Sequence, residues 1–155
     1  MNIPVDHATP LSFDDKLHVL QDICKQTGLK LTHQRLEILR ELVKAKDHPS
    51  VETVHKRVQV RMPTISLDTV YRTIATFERH GLITRMHVFD DQGRFDADLT
   101  PHHHLVCTQC KSIEDFLWDT FDKANLPPEI VGWGQIHTKH VVLRGICRAC
   151  LNQKI

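Results

Sequence analysis

The spacing of apolar residues changes period partway along this chain. Phe13, Leu17, Leu20 and Cys24 recur at i, i+4, i+7 and i+11, one face of a helix over residues 13–27 that stops at Gly28. Cys24 lies on that face and reads as a buried small hydrophobe. Thr32 is placed to cap a second helix reaching about Ala45, with Leu36, Leu39 and Val43 facing inward. His48-Pro49-Ser50 interrupts the pattern, and Ser50 caps a third helix over about 51–61 whose inward positions are Val51, Val54 and Val58. Ser66 caps a fourth, about 67–80, closed by Gly81. Its apolar face is Leu67, Val70, Ile74 and Phe77; Asp68, Arg72, Thr76 and Arg79 lie opposite, flanked by Tyr71 and Thr73. A strand then runs from Leu82 to Phe89, a turn follows at Asp90-Asp91-Gln92-Gly93, and a second strand spans Arg94 to Leu99. Helices followed by a hairpin in this order predict a winged helix-turn-helix, with the fourth helix entering the DNA major groove.

After Thr100 the pattern predicts strands at His102–Val106 and Ser112–Leu117, then a helix over Trp118–Asn125 ended by Pro127-Pro128. One long strand is expected from Gly134 to Cys147. The fold class is therefore α+β: an N-terminal winged helix-turn-helix over residues 1–87, a wing end and hinge over 88–100, and a small αβ unit over 101–155. The second unit has a meagre core, so it needs a metal staple, a dimer partner or both. Trp118 and Trp133 read as core or dimer-interface residues.

The 41% apolar fraction supports real cores, but no apolar run approaches the roughly 20 residues of a spanning helix. Met1 to Pro10 lacks the features of a secretory signal, which predicts a cytoplasmic protein with reduced thiols. Net charge is +1 but uneven: −3 over residues 1–22, +6 over 23–87 and −2 over 88–155. A basic middle segment is a modest footprint for nucleic acid. No function follows from the acidic arm, residues 1–12.

Two Cys-x-x-Cys pairs, Cys107/Cys110 and Cys147/Cys150, make a four-thiolate set suited to a structural zinc without an open catalytic position. The 36 residues between Cys110 and Cys147 form a long loop that such a site would close. Three histidines precede the first pair. On a strand His102 and His104 share one face and His103 points the other way, so His102 and His104 can chelate one ion. Asp96 and Asp115 are available as oxygen ligands, and a site of imidazole and carboxylate suits iron(II), manganese(II) or zinc. His7, His18, His33, His55, His80 and His87 read as ordinary surface or structural residues.

These residues resemble the Fur (ferric uptake regulator) family of metal-dependent repressors. The resemblance rests on residues 28–32 (Gly-Leu-Lys-Leu-Thr) with Arg35, His48-Pro49-Ser50, and residues 66–73 (Ser-Leu-Asp-Thr-Val-Tyr-Arg-Thr). It continues through Arg94-Phe95-Asp96, the His102–Cys107 run and both cysteine pairs, in family order over about residues 28–150. It implies a winged-helix domain, a hinge and a dimerisation domain, hence a homodimer on palindromic operator DNA. It also implies a regulatory site of His48, Asp96, His102, His104 and Asp115 for iron or manganese, with zinc able to bind in vitro. DNA contacts carry over to Lys30 in the minor groove and to Tyr71 and Arg72 on the recognition helix. Arg72 suits base edges or phosphate, and Tyr71 suits a thymine methyl. Aspartate at both 96 and 115 is similar to the PerR-like peroxide-responsive subgroup, where a ligand histidine is oxidised; His48 and His102 are the counterparts. A third family metal site would fall at Pro101, His103, Asp122 and Lys139, but Pro101 and Lys139 are not normal ligands. That site is therefore expected to be absent, or altered to include His137 or His140.

Three other readings compete. An iron- or zinc-uptake regulator is the same family with a different signal. A zinc hydrolase or deaminase would need a glutamate beside the histidines and an open zinc position, and neither is offered. A structural zinc module leaves the basic winged helix unexplained. No small-molecule substrate and no enzymatic activity are expected, with hydrogen peroxide entering only as a signal.

Overall fold

The computed structural model describes residues 9–89 and 93–153, and the chain divides after Leu99 into two compact units. The first carries helices α1 (Phe13–Thr27), α2 (His33–Lys44), α3 (Val51–Gln59) and α4 (Leu67–Arg79). An antiparallel hairpin of β1 (Thr84–Met86) and β2 (Arg94–Asp96) follows. Each helix starts on a hydroxyl cap: Ser12, Thr32, Ser50 and Ser66 each accept the amide of the residue three positions on. A cap of this kind contributes about 1 kcal/mol. At α1 the Asp15 carboxylate also accepts the Ser12 amide, completing a capping box.

Leu20, Ile38, Leu39, Val54, Val58, Val70, Ile74, Phe77 and Phe95 form the centre of this unit. The inward face of α2 differs from the expected one: Ile38, Leu39 and Leu42 are buried, whereas Leu36 and Val43 are half-buried. Glu37 and Glu41 are buried as well, and arginines satisfy their carboxylates. Arg61 Nε meets Glu37 at 2.7 Å, Arg61 Nη2 meets Glu41 at 3.2 Å, and Arg40 meets Glu37 at 2.7 Å. Thr73, expected on a flank of α4, is buried, and Leu67, expected inward, is 38% exposed. Cys24 is half-buried against the core.

Both strands of the hairpin are shorter than expected. Leu82 and Ile83 are buried ahead of β1, and the Leu82 backbone is otherwise engaged. The Leu82 amide donates to Phe77 O at 2.9 Å, and its carbonyl accepts Lys16 Nζ at 2.8 Å. Lys16 is 1% exposed, and burial lowers its pKa against the opposing pull of Asp98 and Asp96. The expected turn residues Asp90, Asp91 and Gln92 lie outside the described residues, as do residues 1–8 of the acidic arm.

The second unit holds β3 (His103–Cys107), β4 (Ile113–Phe116), α5 (Asp119–Lys123), α6 (Pro128–Val131), β5 (Val142–Gly145) and α7 (Arg148–Asn152). Its sheet has the order β4-β3-β5, with β3 antiparallel to β4 and parallel to β5. The long strand expected over Gly134–Cys147 is reduced to β5. Among the described residues it pairs with β3 alone, just five residues long, and the pairing extends over four positions. Buried apolar residues are few, chiefly Val106 and Ile113 beside Cys107 and Cys150. Neither tryptophan is a core residue. Trp133 is 79% exposed, and Trp118 is 42% exposed with its ring 5.4 Å from that of Phe121. Among the described residues no helix is long and apolar enough to cross a membrane.

Candidate metal centres and nucleic-acid interface

The four cysteines converge in the second unit because parallel pairing sets the end of β5 beside the end of β3. Cys107 pairs with Gly145 in register, which brings Cys147 and Cys150 back to the first knuckle. Lys111 turns that knuckle with φ of 63°, and its amide donates to Cys107 O at 3.0 Å. Sulfur–sulfur distances are 3.9 Å for Cys107–Cys150 and 3.7 Å for Cys110–Cys147, and all four sulfurs lie within 4.8 Å of one another. A disulfide needs about 2.05 Å. Four thiolates each about 2.3 Å from one zinc stand roughly 3.8 Å apart, so the spacing fits the ion. The Cys147 amide, 3.3 Å from Cys107 Sγ, holds that thiol down at about 6. Burial pushes the Cys150 thiol up to about 12, an effect a bound dication would reverse.

The alternation at His102–His104 holds. His104 lies opposite Asp115 in the β3–β4 ladder, and His104 Nε2 is 3.4 Å from Asp115 Oδ1. His102, one residue before β3, reaches the same oxygen at 3.6 Å. Its Nδ1 is 2.6 Å from Thr100 O, so that nitrogen carries the proton and Nε2 presents its lone pair. Imidazole and carboxylate atoms about 2.1 Å from a shared ion lie roughly 3.0–3.4 Å apart. This trio is close to that spacing.

In the first unit His48 and Asp96 meet in the same chemistry. His48 Nε2 is 3.2 Å from Asp96 Oδ2, and both residues are buried. No sequence spacing links the two; the fold joins them because the Phe95 amide donates to Pro49 O at 3.1 Å, laying the His48 loop along β2.

His103 points the other way and is committed elsewhere. The Val141 amide donates to His103 Nδ1 at 3.1 Å, so Nε2 carries the proton and donates to Asp122 Oδ1 at 3.0 Å. Lys139 Nζ sits 2.6 Å from both Phe121 O and Ala124 O and 5.0 Å from the Phe121 ring centre. This lysine occupies the corner with its own cation. His137 and His140 are exposed and join no metal-suited group among the described residues. Sequence reasoning excluded Lys139 as a ligand but did not find its clamp, since backbone carbonyls leave no trace in side-chain identity.

The surface of α4 carries Tyr71 and Arg72, both exposed. Arg72 Nε is 2.9 Å from Asp68 one turn earlier, and the Tyr71 hydroxyl donates to Glu52 of α3. That bond raises the tyrosine pKa and lowers the Glu52 carboxyl. Glu52 was not anticipated; an acidic residue on a basic surface gave no reason to single it out. Lys30 is exposed just ahead of the Thr32 cap, its carbonyl accepting a bond from Arg35. Other basic residues of the middle segment are paired internally: Arg57 with Asp47, Arg61 with Glu37 and Glu41, Arg85 with Glu78.

Comparison with known proteins bears directly on these features. The chain is 31% identical over 127 residues to the peroxide operon regulator of Bacillus subtilis, covering 81% of this chain and 87% of the relative. Among solved structures, the ferric uptake regulator of Francisella tularensis with iron superposes with a TM-score of 0.69 at 26% identity, over 81% of this chain and 96% of that one. The ferric uptake regulator of Vibrio cholerae gives 0.67 at 30% identity, over 83% and 99%. Residues 26–144, from the end of α1 through β5, match the ferric uptake regulator family as a whole, and the chain belongs to that family.

Proposed function

We propose that this protein is a metal-dependent, DNA-binding transcriptional repressor that responds to peroxide. The reading is carried by the pairing of imidazole with aspartate in both units, His48 with Asp96 and His102 and His104 with Asp115. The likeness to a peroxide operon regulator supports it. In this reading the five residues close around one iron(II) or manganese(II) ion, and Cys107, Cys110, Cys147 and Cys150 hold a structural zinc. Ligation of His48 then couples the winged helix to the sheet unit. The metal-bound form is the one whose two recognition helices match the half-sites of a palindrome. Lys30, Tyr71 and Arg72 contact the operator. A second copy of the chain covers the apolar strip where Leu105 and Leu143, opposite in register, stand exposed on the sheet.

Bound to these residues, iron would supply the redox chemistry by which peroxide oxidises a neighbouring imidazole. The chain supplies the targets, His48 and His102, and loses a ligand when either is modified. The net change is one oxygen gained by the ring and one water released from peroxide. A second reading, an iron-uptake regulator, is favoured by the likeness to the Francisella protein solved with iron.

The test is mass spectrometry of iron(II)-loaded protein before and after a small dose of hydrogen peroxide, beside an operator-binding assay. One added oxygen on His48 or His102 with loss of binding is the expected result. Unmodified histidines and unchanged binding move the reading to uptake control.

A further inference from the structure

The loop between α2 and α3 carries His48 with φ of 50°, a left-handed conformation disfavoured for any residue with a Cβ. Its side chain is 2% exposed, so the backbone decides where the ring points. Arg94 of β2 holds that backbone. Its Nε donates to His48 O, and its Nη2 donates to Asp47 O at 2.8 Å, so one planar guanidinium spans two successive carbonyls. The Asp47 carboxylate is gripped in turn by Arg57 of α3, Nη1 to Oδ1 at 3.0 Å and Nη2 to Oδ2 at 2.5 Å. On a strand, residues two apart share a face. Arg94 therefore projects on the side of β2 that also carries Asp96, the residue meeting the His48 ring at 3.2 Å. One residue of this strand fixes the main chain of His48 while its neighbour on the same face receives the side chain.

We propose that Arg94 is a positioning residue of the regulatory site: its fork holds residues 47 and 48 in the left-handed turn and so aims the His48 imidazole at the ion. This rests on the reading of His48 and Asp96 as ligands. Fixing a ligand in advance removes an ordering cost from metal binding. Lysine at this position keeps the charge but gathers its donors on one nitrogen at the end of a flexible stem, so it does not fix the two carbonyls in the planar geometry of the fork.

The experiment titrates cobalt(II) into full-length, zinc-replete protein, reading the dissociation constant and the ligand-field absorption spectrum at saturation, with zinc content as the control. Arg94→Lys is expected to weaken cobalt binding about tenfold or more and to change the saturated spectrum, with zinc content unchanged. Arg57→Lys, which loosens the same loop from α3, is expected to move both readouts the same way by a smaller factor. His48→Ala is measured alongside and is expected to alter the spectrum strongly. An Arg94→Lys protein with the wild-type constant and spectrum, beside an altered His48→Ala protein, overturns the positioning role. So does an Arg94→Lys protein that melts earlier but saturates to the wild-type spectrum, because that is a merely structural effect. A wild-type spectrum from His48→Ala overturns the ligand reading, and this inference with it.

Discussion

Arg72 and Tyr71 are adjacent on α4 but have different acidic partners. Asp68 shares the helix surface with Arg72 and is itself mostly exposed, so water screens the pair and Arg72 can exchange it for a nucleic-acid acceptor. Tyr71 is tied to another helix through Glu52. Arg72→Ala is expected to cost about 1–3 kcal/mol of operator affinity, roughly 5- to 150-fold, if the guanidinium reads a base. Titrations with operator and scrambled duplexes at one salt concentration check this; equal losses on both would assign Arg72 to phosphate instead. At this scale the sequence was legible for three of the four helix caps, each acting on a near neighbour; Ser12, with the same spacing to Asp15, was missed. Thr32, Ser50 and Ser66 declare themselves as caps because their targets lie three residues away. Lys16 does not, since its acceptor is a backbone carbonyl 66 residues distant.

Helix α2 shows the same limit for whole elements. Its apolar spacing fits a helix, yet its buried residues include Glu37 and Glu41, whose partner Arg61 lies beyond the end of α3. The hydrogen bond from Arg61 holds the Glu37 carboxyl below its ordinary value. That pKa is depressed in the fold, so the stabilisation is complete above the unfolded value of 4.5 and fades as pH falls through the folded one. Glu37→Gln is therefore expected to lower the melting temperature at neutral pH and flatten its fall in acid. Melts of both proteins between about pH 3 and 7 would show the curves converging at the acid end; parallel curves would mean that Glu37 contributes nothing to the slope. For β5, a β-rich run of residues predicted a long strand. Strand length is set by the ladder partner, and β3 offers few positions. The alternation of His102, His103 and His104 was readable because it is local geometry. The joining of His48 to Asp96 was reached through family resemblance, because their proximity comes from a backbone bond between Pro49 and Phe95.

The whole molecule contrasts a first unit with a continuous apolar core and a second with little more than Val106 and Ile113 around its sulfurs. Stability of the second unit must then come from outside its core. Cys107→Ser is expected to lose zinc and to leave this unit unfolded or the protein monomeric, while the helical unit keeps its own cooperative melt. Zinc analysis with sedimentation checks it; a zinc-free variant that remains a stable dimer would refute the structural role. The charge profile also looks different once pairs are drawn. The basic middle segment is net +6, but Arg40, Arg57, Arg61 and Arg85 all face carboxylates within the fold. The field offered to DNA is therefore concentrated on fewer side chains than the count implies, and binding should weaken with salt less steeply than twelve cations would produce.

The ammonium of Lys139, seated on the carbonyls of Phe121 and Ala124, is a cation joined to the chain by covalent bonds. No chelator strips it, no competing ion displaces it, and its local concentration does not follow that of the surroundings. The corner it braces therefore stays the same through famine or flood of any metal, and carries no message about either.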